Sequence, residues 1–222
     1  MKRFIRFFLA TVAISLLLCP YLAQAEFYVA GQVGATFPEK ISNVQGTGLA
    51  SGLSFSDLAL QTSVIYGGKV GYFFDRLKWL GIEAEAFTTT PHVKQQAVTA
   101  CAGAVCTPPV TTPGSDLRVT TLAFNLIARY PGERFQPYVG AGLGVFFAEN
   151  HVAGVTHTDE AVPGANALGG VRFFLTKHLA LFGEYKFQYV HFNFEEALGG
   201  PGLGISGDYK AHNAVGGIAW HF

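Results

Sequence analysis

From Phe27 onward the chain alternates between apolar and polar or small positions in eight separate stretches. A period of two is the mark of a strand with one apolar face. The first stretch, Phe27 to Phe37, sets Phe27, Val29, Val33, Ala35 and Phe37 against Tyr28, Gln32 and Thr36. Val64 to Phe74 sets Val64, Tyr66, Val70, Tyr72 and Phe74 against Gly67, Lys69 and Gly71, and Leu80 to Thr88 sets Leu80, Ile82, Ala84 and Ala86 against Glu83 and Glu85. Val119 to Tyr130 opposes Leu122, Phe124, Leu126 and Tyr130 to Thr121, Asn125 and Arg129. Tyr138 to Phe147 opposes Val139, Ala141, Leu143, Val145 and Phe147 to Gly140, Gly142 and Gly144. Ala165 to Leu175 places Ala167, Val171, Phe173 and Leu175 opposite Asn166 and Arg172. Leu179 to Tyr189 places Leu179, Leu181, Tyr185, Phe187 and Tyr189 opposite Glu184, Lys186 and Gln188. The last, Lys210 to Phe222, turns Ala214, Gly216, Ile218 and Trp220 one way and Asn213 and His221 the other.

Each stretch is close to the ~9–11 residues a tilted strand needs to cross a bilayer. The connections alternate in length. Asp75–Trp79, Pro131–Arg134 and Thr176–His178 are short, whereas the links after the first, third, fifth and seventh stretches are long and rich in Gly, Ser, Thr and Pro. Aromatic residues gather at the stretch ends: Phe27, Tyr72, Phe74, Trp79, Tyr130, Phe135, Tyr138, Trp220 and Phe222 by the short turns, and Phe37, Phe147 and Tyr189 by the long loops. Short turns on one side, long loops on the other and two aromatic girdles predict an eight-stranded antiparallel up-and-down transmembrane β-barrel, with short periplasmic turns and long extracellular loops. A soluble sandwich would have to bury the face that these girdles edge. An even strand number closes the sheet, so no backbone N–H or C=O is left unpaired in lipid. Within the first long link, Leu53 to Leu60 is expected to add a short helix or strand above the membrane.

The N-terminus fits export. Lys2, Arg3 and Arg6 precede the apolar run Phe7–Leu18, and Ala23-Gln24-Ala25 supplies small residues for cleavage before Glu26. The run is short for a retained anchor. Cys19 follows the bulky Leu18 and precedes Pro20, which disfavours lipoprotein processing. The expected organisation is a cleaved signal peptide over 1–25 and one barrel domain over 26–222, with both termini periplasmic in the outer membrane of a Gram-negative cell. The remaining cysteines, Cys101 and Cys106, are expected to form a disulfide in the oxidising compartment. So small a ring shapes a loop rather than the whole fold.

Half of the residues are hydrophobic and mean hydropathy is +0.29, yet nothing after Ala25 approaches a transmembrane helix in length. The 27 glycines and 14% aromatic content suit apolar residues dispersed over alternate strand positions. Net charge is zero and the mature chain has no basic run, so nucleic acid is not an expected partner.

The inward face holds Lys69, Arg129, Arg172 and Lys186 against Glu83, Glu85 and Glu184. Lys69 is expected near Glu85, and Arg172 near Glu184. These charges either line a polar pore or fill an eight-strand lumen as a paired network. The network is favoured, because such a lumen is only wide enough for side chains. Gly140, Gly142 and Gly144 are expected to make room for large inward neighbours. The histidines are scattered, with His191 near Glu195 and Glu196 as the one cluster, and no metal site or cofactor is expected. A hydrolase would need a serine beside a histidine at the outer rim. Only Ser63 stands near a rim, so no catalytic residue is assigned and an enzyme is not expected.

The export signal, the run Gly67-Gly68-Lys69-Val70-Gly71-Tyr72-Phe73, the run Arg134 to Gly144, the run Gly169 to Leu175 and the closing Trp220-His221-Phe222 resemble the outer-membrane β-barrel family that includes the membrane domain of outer membrane protein A. The resemblance spans the mature chain and is specific for architecture, not for function. It implies insertion by the barrel assembly machinery, with Ile218, Trp220 and Phe222 matching the C-terminal aromatic signal. It also implies contact with outer-membrane lipid and lipopolysaccharide. No peptidoglycan-binding domain is expected after the barrel. The role this implies is structural or surface-interacting, through the extracellular loops. A narrow channel for small or hydrophobic solutes is the alternative, and a lipid A-modifying enzyme is a more distant one.

Overall fold

The computed structural model describes residues 26–222 apart from 113, 153–154 and 195–202. The expected export segment with Cys19, and the acidic pair Glu195 and Glu196, lie outside the described residues. The described chain is all β. Eight barrel strands are β1 Glu26–Pro38, β2 Ser63–Phe73, β3 Leu80–Thr89, β4 Ser115–Arg129, β5 Phe135–Val152, β6 Val155–Phe174, β7 Leu179–Phe194 and β8 Leu203–His221. Each pairs antiparallel with its sequence neighbour, and β1 closes on β8 in a ladder from Tyr28↔His221 to Pro38↔Ala211. Closure leaves the barrel wall no open edge, which a bilayer requires.

The alternation read along the chain sorts the side chains as expected. Tyr28, Gln32, Lys69, Glu83, Glu85, Asn125, Arg172, Glu184, Lys186, Asn213 and His221 are buried inside the barrel. Val33, Phe124, Val139, Leu143, Ile218 and Trp220 are exposed on its outer wall. An outward face of large apolar residues is what a barrel standing in lipid would present. Tyr138 departs from the expected girdle. It is only 4% exposed, because it keeps period with Gly140 and Gly142 and so points inward.

At the long-loop end the strands run longer than the ~9–11 residues a bilayer crossing needs. β5 and β6 have 18 and 20 residues, and only Ala153 and Gly154 separate them. The expected third loop is therefore mostly a continuing hairpin. The first and second long links also add strands. Ser42–Gly48 pairs with the tip of β8, Leu53–Phe55 pairs with it in turn, and Ala100–Ala102 and Val105–Cys106 complete a small extension of the sheet. Leu53–Phe55 is thus a strand, as the sequence allowed. Cys101 and Cys106 face each other across the last hairpin and are joined by a disulfide. Pro108 and Pro109 follow at the free edge, where they discourage further pairing.

Candidate functional site

The lumen is built in layers. At the short-turn end, Arg129 of β4 reaches Glu26 of β1, with one Nη1–Oε1 contact of 2.6 Å. Its guanidinium also lies 3.6 Å from the Phe73 ring centroid. His221 Nδ1 stands 2.7 Å from Glu26 Oε1, so the first residue of β1 ties together β4 and β8.

The middle layer holds three carboxylates and two ammonium groups. Lys69 Nζ lies 2.6 Å from Glu184 Oε2 and 3.3 Å from Glu83 Oε2. Lys186 bonds Glu85 and stands 3.1 Å from Glu184 Oε1. Glu85 accepts further hydrogen bonds from Asn125, Asn166 and Gln32. Tyr28 donates to Glu83, and Tyr138 donates to Glu184 at 2.8 Å. The side chains of Lys69, Lys186, Glu83, Glu85 and Glu184 are fully buried, so each charge depends on these partners.

Two expected pairings are redirected. Lys69 sits opposite Glu85 in the β2–β3 register, but its ammonium crosses the lumen to Glu184. In the β6–β7 ladder Arg172 faces Phe182 and not Glu184. Its guanidinium lies 4.2 Å from the Tyr28 ring and 5.3 Å from that of Tyr138. Those two tyrosines donate onward to Glu83 and Glu184, so the Arg172 charge meets the carboxylates through phenols. The sequence signal for these tyrosines was their inward parity; their partners come from strands distant in the chain.

Above this layer Thr36, Asn213 and Gln188 form a hydrogen-bonded row. An apolar cluster then caps the lumen: Leu60, Val119, Phe146, Val190, Phe192 and Tyr209. The inward glycines of β5 make room as expected, since a Cβ at Gly140 would come within 2.5 Å of Ile127 Cδ1.

At the long-loop rim three histidines meet carboxylates: His92 with Asp116, His191 with Asp208, and His212 with Glu39, at 2.8, 2.8 and 2.9 Å. His191 therefore lies on a strand, paired to Asp208 of β8. Asp208 also accepts from Asn43 at 2.6 Å and from Tyr189. Asn43 lies in the left-handed region at φ 54°, where the chain bends from β1 toward its second contact with β8. Among the described residues no cluster of three or more His, Cys, Asp or Glu has the geometry to hold a metal ion.

The family model described as outer membrane protein beta-barrel domain matches residues 8–222. The chain belongs to that family. This outer-membrane β-barrel is similar in fold to the outer membrane protein OprG from Pseudomonas aeruginosa, with a TM-score of 0.61 and 12% identity over 89% of this chain and 96% of that one. It is also similar to Neisserial surface protein A, with a TM-score of 0.57 and 14% identity over 88% of this chain and 97% of that one. At these identities the likeness is one of fold. A comparison with curated protein sequences finds no match.

Proposed function

We propose that this outer-membrane β-barrel is a non-enzymatic surface protein, anchored by its wall and acting through the strand extensions and loops of its long-loop end. The observation that supports this reading is the filled lumen. Paired charges occupy its middle and an apolar cluster closes it above, so solute passage would require buried ion pairs to part. Meanwhile the short added strands and the Cys101–Cys106 disulfide lie at the long-loop end.

In this reading the long loops face outward and both termini lie in the periplasm, following the length asymmetry of the connections. Ile218, Trp220 and Phe222 line the outer wall of the last strand, where the assembly machinery would read them during insertion.

Planar-bilayer recording tests the closed lumen. Wild type is expected to give no stable conductance steps. Steps that disappear on changing Lys69 or Glu85 would refute the filled-lumen reading in favour of a channel. Mass spectrometry of lipid A from cells with and without the protein is expected to show no difference; a changed acyl pattern would replace this reading with an enzymatic one. A tag inserted after Gly103 is expected to be antibody-accessible on intact cells, and a tag after Phe222 is not.

A further inference from the structure

Near the long-loop rim the outer wall formed by β7, β8 and β1 carries two basic residues, His212 and Lys210. At about 3.3 Å of rise per residue and a tilt of about 40°, the stretch from Trp220 up to His212 climbs roughly 20 Å, and Lys210 sits roughly 25 Å up, at the top of the apolar band of such barrels. His212 and Lys210 both point outward there. His212 is held from both sides: Nε2 is 2.9 Å from Glu39 Oε1, and Nδ1 is 2.5 Å from the Tyr185 hydroxyl. Phe187 and Phe37 flank it in the two ladders.

Lys210 is half-buried between the Tyr189 position of β7 and the Glu39 backbone, whose N–H donates to Lys210 O at 2.9 Å. Both nearby carboxylates are already engaged, Glu39 by His212 and Asp208 by Asn43, His191 and Tyr189. Among the described residues no carboxylate forms an ion pair with Lys210. Its ammonium therefore has no ion-pair partner among the described residues, at headgroup height.

Directly below, the same wall is hollowed. Ala214 and Gly216 of β8 are flanked in register by Ala35 of β1 and Gly183 of β7, with Gly31 beside Ile218. An added Cβ would meet nothing within 4 Å at Gly31 or Gly183, and only Phe182 O, at 3.7 Å, at Gly216. Tyr185, Phe187, Val33 and Phe37 stand beside this floor, giving an apolar trough that ends at a cation.

We propose that this wall is a binding site for one phosphorylated lipid of the surrounding leaflet. Lys210 receives the phosphate, Tyr189 and the fixed His212–Tyr185 pair border the headgroup, and an acyl chain lies in the trough over Ala214 and Gly216. A lysine that merely snorkels to the interface would not need the trough. The site rests on insertion in the outer membrane and not on a closed lumen, so it stands or falls separately from the surface role.

The test is native mass spectrometry of the full detergent-purified protein titrated with dioctanoyl phosphatidic acid. One saturable lipid adduct is expected. Lys210→Gln, which removes a charge-assisted contact, and Gly216→Leu, which fills the trough, are each expected to weaken binding by about tenfold or more. Lys177→Gln at the opposite rim is expected to leave it unchanged, and inorganic phosphate is expected not to displace the lipid. Heat-modifiable migration confirms that every variant is folded. Any other pattern overturns the proposal: unchanged affinity in either variant, equal loss in Lys177→Gln, or displacement by free phosphate.

Discussion

Lys69 and Glu85 face each other in register across β2 and β3, yet the Lys69 ammonium lies 2.6 Å from Glu184, on β7 across the lumen. Glu85 instead receives Lys186 from β7. Two ion pairs thus bind opposite walls of the barrel, in addition to the backbone ladders that bind neighbouring strands.

Because Glu184 serves both Lys69 and Lys186 in full burial, Glu184→Gln strips a partner from each. Its expected cost is on the order of 3–5 kcal/mol. Urea unfolding of the barrel in lipid, read by heat-modifiable migration, should show a large fall in midpoint. The double variant Lys69→Met/Glu184→Leu should recover part of it, since Lys186 keeps Glu85 and Glu83 keeps the Tyr28 hydroxyl beside Arg172. A double variant no better than Glu184→Gln would contradict the account.

Gly71 is a packing requirement of the Tyr28 ring. A Cβ there would fall 2.3 Å from Tyr28 Cε1, and Tyr28 is fully buried between Arg172 and Glu83. Gly71→Ala is expected to destabilise the barrel by about 1–3 kcal/mol. In the background of Tyr28→Leu the same substitution should cost clearly less. Additive effects in that cycle would show that the ring does not set the constraint.

Asp208 lies above the lipid-facing band, where hydrogen bonds from Asn43, His191 and Tyr189 hold its carboxyl below the ordinary aspartate value of 3.8. A depressed folded value means stabilisation that is fully present above about pH 4 and lost as pH falls through the folded value. Hydrogen exchange of Ser42–Gly48, the segment that Asn43 belongs to, should therefore quicken below that point. In Asp208→Asn the segment should already exchange faster at neutral pH, with little further change on acidification.

The Cys101–Cys106 disulfide closes a hairpin of sequence separation 5 whose other edge pairs with Leu53–Phe55. Replacing both cysteines by serine is expected to leave the barrel's unfolding midpoint unchanged, because so short a ring restricts little of the unfolded chain. Protease cleavage should increase at Gly103–Thr107, and exchange should rise in Leu53–Phe55. A fall in the global midpoint would show that the rim extension supports the barrel itself.

Strand positions and inward or outward faces were legible in the sequence, because lipid on one side of a strand forces a two-residue period on nearly every element. Val33, Phe124 and Ile218 could be assigned to the wall, and Lys69, Glu83 and Arg172 to the interior, without coordinates. Tyr138 lies beside a turn, where an outward girdle residue is expected, but its parity with Gly140 turns it inward. The long links were harder to read, because above the membrane the period is no longer imposed, and β5 and β6 simply continue through them.

What the sequence determined by itself was the architecture: closed barrel, wall and lumen, short and long ends, and the enclosed charges apart from Glu26. Which charges meet was decided only by the tertiary structure. Pairing along a ladder follows from turn register, but pairing across a lumen depends on barrel curvature and side-chain reach, which bring Lys69 to Glu184 and set Arg172 on the ring of Tyr28. The same curvature places Glu39 of the first strand's extension against His212 of the last strand, residues that no local pattern connects.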